Sequence, residues 1–157
     1  MAHSPDAEFA HNTGLVADPA QFAREHGAAS WLYLCGEEFA AMDGGMSYAD
    51  VERAVEVSAN VVSDPPRILD MDLARRQLAA LDDLPRPTLV TCRTGARSSA
   101  LIYLYEGLRS RESAEQVLAR AESDSAPFVN SAECRDWVEQ GLRELSEDGS
   151  PGSATVA

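Results

Sequence analysis

One short segment of the chain contains the residue types needed for nucleophilic chemistry on an anion. It reads Cys92-Arg93-Thr94-Gly95-Ala96-Arg97-Ser98-Ser99. A cysteine thiol can attack an electrophilic centre, and an arginine guanidinium offers a planar, permanently charged fork that matches two oxygens of an oxyanion. A glycine lets the backbone approach a bound group closely. The segment therefore predicts a loop that holds a phosphate or a sulfur oxyanion beside the Cys92 thiol.

The sequence on both sides of this loop indicates the elements that hold it. Residues 88–91, Thr-Leu-Val-Thr, are β-branched and apolar and predict a buried strand. Residues 99–108 have the apolar spacing of a helix and contain no helix breaker. The loop is therefore a strand-to-helix turn, where the free N–H groups of the helix start favour an anion. We expect Cys92 to be a thiolate at neutral pH, with the Ser98 hydroxyl able to hydrogen-bond the sulfur or help it leave.

Strands and helices alternate along the rest of the chain. This alternation predicts an α/β fold, a three-layer sandwich with a short, mostly parallel sheet that binds ligands at the carboxyl ends of its strands. Polar residues 1–14 and 146–157 predict disordered tails on either side of one domain, residues 15–145. The remaining predicted strands are 29–35 and 60–63, the predicted helices are 19–26, 47–58, 70–81, 113–122 and 130–145, and residues 36–45 are predicted to form a loop.

The loop resembles that of one branch of the protein tyrosine phosphatase superfamily, the beta-lactamase-hydrolase-like (DUF442) phosphatases. The loop of that branch looks like Cys-Arg-Ser-Gly-Thr-Arg-Ser, and residues 92–98 are similar to it throughout. The order of elements is also similar from about Leu15 to Leu145. The resemblance implies a protein tyrosine phosphatase-like fold and a cysteine-dependent phosphatase that hydrolyses phosphomonoesters through a phosphocysteine intermediate.

The resemblance also implies a role for each loop residue. Cys92 would attack phosphorus, Arg97 would hold the equatorial oxygens, and Ser98 would assist the sulfur. The phosphate would be bound by the loop backbone, at Arg93, Thr94, Gly95 and Ala96.

A phosphatase of this kind needs a general acid that protonates the leaving group. Asp64 is the leading candidate, because phosphatases of this superfamily tend to place an aspartate just after the preceding strand. Asp64 also fits a simple turn before two prolines. Asp70 and Asp72 are rivals, and each also fits a helix cap. The choice among the three stays open.

Two other functions remain open. The Cys-x4-Arg loop is as short as that of the rhodaneses, in which Cys92 would carry sulfur as a persulfide, and Thr91 stands where such phosphatases usually have a histidine. The Asp-Val-Arg and His-Ile-Pro-Gly-Ala segments expected of a rhodanese are absent from the sequence, which favours the phosphatase. The third possibility is a module that binds phosphate without turnover.

Two further cysteines have simpler interpretations. Cys35 ends the strand predicted at 29–35, on the same side of the sheet as the loop, so a disulfide with Cys92 is conceivable. A small buried apolar role for Cys35 is the main alternative. Cys134, in the last predicted helix, is interpreted as a core or surface residue.

Composition limits the partners. The chain has 157 residues, 45% of them hydrophobic, and a formal net charge of −13, which argues against nucleic acid and anionic membranes. We therefore expect a phosphorylated small molecule or a phosphoprotein as the substrate. His3, His11 and His26 lack ligand spacing with the cysteines, so neither a metal nor another cofactor is predicted. The odd number of cysteines and the lack of a long apolar run predict a cytoplasmic protein.

Overall fold

A computed structural model of the chain describes residues 8–63 and 70–148. None of the helices in these two ranges is long and apolar enough to cross a membrane. The elements follow in the order β1 (Phe9–His11), α1 (Pro19–His26), β2 (Ser30–Tyr33), α2 (Glu37–Ala40), α3 (Tyr48–Ala54), β3 (Val57–Asn60), α4 (Met71–Asp83), β4 (Thr88–Thr91), α5 (Ala96–Ser110), α6 (Ala114–Ser123), a 3₁₀ helix (Pro127–Asn130) and α7 (Ala132–Asp148).

The four strands form one parallel sheet in the order β1-β4-β2-β3. Strand β4 lies inside the sheet, and all four of its residues are buried. Helices α1 and α3 pack against each other, while α5 packs against α4, α6 and α7. With this strand order, the general right-handedness of parallel crossovers puts the two groups on opposite faces of the sheet. The predicted α/β three-layer sandwich with a parallel sheet is confirmed.

Capping residues begin the helices where the sequence predicts. The Asp18 carboxylate accepts the Gln21 N–H at the start of α1, and the helix ends at Gly27 in the left-handed conformation. Ser47 begins α3 with a reciprocal capping box. These local signals fix the directions in which the chain leaves and re-enters the sheet.

Helix α5 is the central helix of the fold and carries the loop at its amino end. It is buried on nearly every side, including at Leu101 and Leu104, so it is apolar all round. Gly141 allows α7 to approach closely, because a Cβ atom there would lie 2.9 Å from the Leu104 side chain. The close packing gives the start of α5 a rigid support.

Several sequence predictions differ from the structure, and one of them is the helix predicted at 47–58, which ends at Ala54 because Val57 and Ser58 pair with β2. Strand β1 lies within residues 1–14, which were predicted to be disordered, and helix α2 lies within the predicted loop 36–45. Strand β3 occupies Val57–Asn60 rather than the predicted 60–63, because residues 57–60 are the ones that pair with β2. Helix α7 continues to Asp148, past the predicted domain end. Strand β1 has three residues and forms by pairing with β4, so it has no local pattern of its own.

Candidate active site

The Cys92 sulfur lies at the carboxyl end of β4 and accepts hydrogen bonds from the loop backbone. The Gly95 N–H donates to Cys92 Sγ over 3.1 Å and the Ser98 N–H over 3.4 Å. Cys92 is 2% exposed and the Ser98 Oγ lies 3.5 Å from the sulfur. Two backbone N–H groups at the start of α5 therefore converge on the sulfur. The predicted strand-to-helix turn is confirmed.

The loop conformation depends on Gly95. This residue has φ +112°, which favours glycine, and it forms the cap of α5. A Cβ atom at Gly95 would lie 2.2 Å from the Asn12 carbonyl oxygen and 3.2 Å from the Pro127 ring. The loop is thus packed between the segment after β1 and the 3₁₀ helix. The Phe128 N–H also donates to the Ser99 hydroxyl, over 3.2 Å, and joins the 3₁₀ helix to α5.

Asn12 holds the loop from the neighbouring strand, and the sequence analysis missed it. Its side chain is 2% exposed. Its Nδ2 donates to the carbonyl oxygens of Gly14 (3.0 Å), Cys92 (3.0 Å) and Arg93 (3.2 Å). Its Oδ1 accepts the Cys92 N–H over 3.3 Å and the Ser98 hydroxyl over 3.0 Å. Because β1 pairs in parallel with β4, with His11 opposite Val90, Asn12 lies at the same end of the sheet as Cys92.

Arg97 is held by the segment that follows β3. One terminal nitrogen (NH1) donates to the Ser63 carbonyl oxygen over 2.8 Å. The Ser63 N–H in turn donates to the Leu34 carbonyl oxygen over 2.8 Å, which joins this segment to the end of β2. Arg97 therefore has a fixed support beside the loop.

The other loop residues differ in exposure. Arg93 is partly buried, its guanidinium lies 5.5 Å from the centre of the Phe39 ring, and it donates to Met42 Sδ over 3.5 Å. Thr94 is exposed, and Ala96 is the first residue of α5. The described contacts with the Cys92 sulfur come from Gly95 and Ser98.

The predicted general acids are not brought to the sulfur by any described contact. Asp64 lies outside the described residues. Asp70 is the cap of α4, where its carboxylate accepts the N–H groups of Asp72 and Leu73. The Asp72 side chain is exposed in the first turn of that helix. The cap interpretation of Asp70 is confirmed.

Thr91 occupies the position before the cysteine, where phosphatases of this kind usually have histidine. Its hydroxyl accepts the buried Trp31 indole N–H over 2.9 Å. Thr91 is fully buried, so its side chain joins β4 to β2. The described hydrogen bond of its hydroxyl is thus to Trp31 rather than to the Cys92 sulfur.

No disulfide joins Cys35, Cys92 or Cys134 in the structure. Cys35 is 1% exposed and lies just beyond β2, with its carbonyl oxygen bound by the Asn60 side chain over 3.0 Å. Burial raises the pKa of the Cys134 thiol. A buried thiol with a raised pKa is a poor nucleophile, which agrees with the structural role predicted for Cys134.

The fold of the chain is similar to the folds of solved structures described as phosphatases. A candidate phosphatase from Neisseria meningitidis matches with a TM-score of 0.65 and 15% identity over 88% of this chain and 96% of its own. A candidate DUF442 phosphatase from Shewanella putrefaciens matches with a TM-score of 0.64 and 15% identity, over 93% of this chain and 87% of its own. The chain has a protein tyrosine phosphatase-like fold. The resemblance to the DUF442 phosphatases is therefore confirmed at the level of the fold.

A third structure with this phosphatase fold is the core catalytic domain of a PP-IP phosphatase from S. cerevisiae, in complex with citrate. It matches with a TM-score of 0.62 and 14% identity, over 96% of this chain and 88% of its own. No protein-family model matches the sequence, and no curated protein does. The relationship is thus visible in the fold rather than in the sequence as a whole.

Proposed function

We propose that the chain is a cysteine-dependent phosphatase that hydrolyses phosphomonoesters through a phosphocysteine on Cys92. The observation that carries the proposal is the convergence of the Gly95 and Ser98 N–H groups on the Cys92 sulfur, at the end of an interior parallel strand. The fold shared with phosphatases supports it. An anion-binding turn with a buried thiol at its centre suits attack on phosphorus better than it suits binding alone.

The reaction proceeds in two steps. Cys92 attacks phosphorus in line, a sulfur–phosphorus bond forms, and the bond to the leaving oxygen breaks. Arg97 and the loop backbone from Arg93 to Ala96 stabilise the charge on the three equatorial oxygens. Water then attacks phosphorus, the sulfur–phosphorus bond breaks with its electron pair on sulfur, and phosphate leaves. The Ser63 carbonyl keeps the Arg97 guanidinium beside the loop through both steps.

Asp64 is our proposed general acid for the first step. It follows Ser63 in the sequence, and the Ser63 carbonyl contacts Arg97. We expect Asp64→Asn to slow hydrolysis of an alkyl phosphate far more than that of p-nitrophenyl phosphate, whose leaving group needs little protonation. Equal slowing of both substrates would assign the acid elsewhere.

Exposed apolar side chains and the negative net charge support one class of substrate. Leu15 is 55% exposed and Met42 is 47% exposed, and Met42 contacts Arg93. An acidic residue, Glu38, lies 3.9 Å from the same guanidinium. A chain of net charge −13 repels polyanions at long range. We therefore propose a phosphorylated small molecule or a phosphoprotein as substrate, with an apolar leaving group such as the tyrosine side chain of a phosphotyrosine.

The experiment measures turnover of the purified protein with p-nitrophenyl phosphate and, in parallel, with thiosulfate and cyanide. Phosphate release that disappears in Cys92→Ser and Arg97→Ala supports the proposal. The matched controls are Cys35→Ser, which changes another buried thiol, and Arg53→Ala, which changes an exposed arginine of α3; both should retain turnover. Thiocyanate formation without phosphate release would instead identify a sulfurtransferase. If neither product forms, the chain would be a module that binds phosphate without turnover.

The substrate class has its own test. We expect kcat/KM for a phosphotyrosine peptide to exceed that for inositol hexakisphosphate, used as a polyanionic probe, because the net charge of −13 repels a polyanion and the exposed Met42 beside Arg93 is apolar. The reverse order would contradict the proposed class while leaving the phosphatase assignment intact.

The sulfurtransferase keeps one observation in its favour, the six-residue length of the loop from Cys92 to Arg97.

A further inference from the structure

The side-chain amide of Asn12 has only one orientation that satisfies its neighbours. Its Nδ2 faces three carbonyl oxygens, which accept hydrogen bonds and cannot donate them. Its Oδ1 faces the Cys92 N–H and the Ser98 hydroxyl. Because Oδ1 can only accept, the Ser98 proton points to Asn12 in this arrangement. The Ser98 oxygen then presents lone pairs to the Cys92 sulfur.

The Ser98 hydroxyl thus has one proton and two acceptors. Asn12 Oδ1 lies 3.0 Å from the Ser98 oxygen, and Cys92 Sγ lies 3.5 Å from it. Ser98 is fully buried, and Asn12 and Cys92 are each 2% exposed, so bulk water does not compete for this proton. Asn12 Oδ1 keeps the Cys92 N–H as a donor when the Ser98 proton turns away.

We propose that Asn12 is a positioning residue that controls the Ser98 proton, holding it away from sulfur until the phosphocysteine breaks down. This inference rests on the proposed phosphatase function. When water attacks phosphorus, the sulfur–phosphorus bond breaks and its electron pair goes to Cys92 Sγ. The water proton passes to the carboxylate that protonated the leaving group. The Ser98 O–H rotates from Asn12 Oδ1 to the sulfur and keeps its proton, so the thiolate leaves with an added hydrogen bond.

Asn12→Asp and Asn12→Ala form a matched pair for the test. Both variants lose the Nδ2 donors to the three carbonyl oxygens, and aspartate also places a carboxylate oxygen against those carbonyls. The two variants also differ in the acceptor: aspartate holds the Ser98 proton more strongly than the amide does, and alanine does not hold it at all. Asn12→Asp in the Ser98→Ala background measures the cost of the carboxylate by itself, so the remaining difference reports the position of the Ser98 proton.

The measurement is stopped-flow release of p-nitrophenol from p-nitrophenyl phosphate. The rate of the first turnover reports formation of the phosphocysteine, and the steady-state rate reports its breakdown when a burst is present. We expect Ser98→Ala and Asn12→Asp to produce a burst, with a steady-state rate at least tenfold below the first-turnover rate. Asn12→Ala should show a ratio of the two rates closer to that of wild type. In the Ser98→Ala background, Asn12→Asp should change the ratio by less than twofold.

Equal ratios for Asn12→Asp and Asn12→Ala would overturn the inference, because the shared loss of donors would then explain both variants. If neither Asn12 variant folds, Ser98→Ala alone still decides, since a steady-state rate equal to wild type would overturn it. Wild-type protein that releases no p-nitrophenol refutes the proposed function and this inference with it. Wild-type turnover without the expected ratios refutes the inference alone.

Discussion

Gly95→Ala tests whether the loop has the conformation described. The new side chain would occupy a backbone conformation of φ +112°, which costs about 1–2 kcal/mol for a residue other than glycine. Its Cβ atom would lie 2.2 Å from the Asn12 carbonyl oxygen, whereas ordinary contacts begin near 3.4 Å. The segment after β1 must therefore move by about 1 Å, which disturbs one or two of the Asn12 hydrogen bonds at about 1 kcal/mol each.

The expected total is about 2–4 kcal/mol of lost stability, or roughly 4–16 °C in Tm for a chain of this size. Gly27→Ala is the matched control, because Gly27 also has a positive φ, +59°, but no atom lies within 4 Å of its Cβ position. It should cost about 1–2 kcal/mol. Both variants reduce the entropy of the unfolded chain alike, so their difference isolates the close approach to Asn12.

The assays are thermal and urea unfolding together with p-nitrophenyl phosphate turnover. Gly95→Ala should lose most turnover, because its N–H donates to the Cys92 sulfur and the shift of the loop removes that bond. Gly27→Ala should keep it. A Gly95→Ala protein as stable and as active as Gly27→Ala would refute the packing of the loop against Asn12.

Three further substitutions test separate contacts. We expect Arg97→Lys to lower kcat by about 10²-fold with little change in Tm, since lysine keeps the charge but loses the fork; near-normal kcat would contradict this role. Thr91→Val should lower the free energy of unfolding by about 1–3 kcal/mol, because the Trp31 N–H loses its acceptor. Thr91→Ser keeps the hydroxyl and should lower it less. Equal losses of stability for the two variants, measured by urea unfolding, would contradict the contact. Burial and the hydrogen bond to Asp124 raise the pKa of Tyr103, so its stabilising effect is present below about pH 10 and decreases as the pH rises further. Tyr103→Phe should cost about 1 kcal/mol at neutral pH and reduce the loss of stability at alkaline pH, measured by urea unfolding at several pH values; an unchanged alkaline loss would contradict it.

Local signals allowed much of the fold to be predicted. Strand β4, the loop and α5 are contiguous in the sequence, so the residues that surround the sulfur could be identified together. The caps at Asp18 and Ser47 are formed within a single turn. The order of strands and helices was enough to predict the layers and the parallel sheet. In each case the interacting groups are separated by only a few residues, or the pattern repeats along an element.

The contacts that complete the site could not be predicted in this way. Asn12 reaches Cys92 across 80 residues of chain, and Ser63 reaches Arg97 across 34. Asn12 follows a strand of three residues that exists only because β4 pairs with it. No periodicity or motif in the sequence marks either contact.

The sequence by itself determined the chemistry at this site: a thiol, a glycine turn and a guanidinium on one strand-to-helix loop. Only the tertiary structure decided which distant groups support that loop. The physical reason is the register of a parallel sheet, which aligns the carboxyl ends of neighbouring strands and so brings Asn12 and Cys92 together.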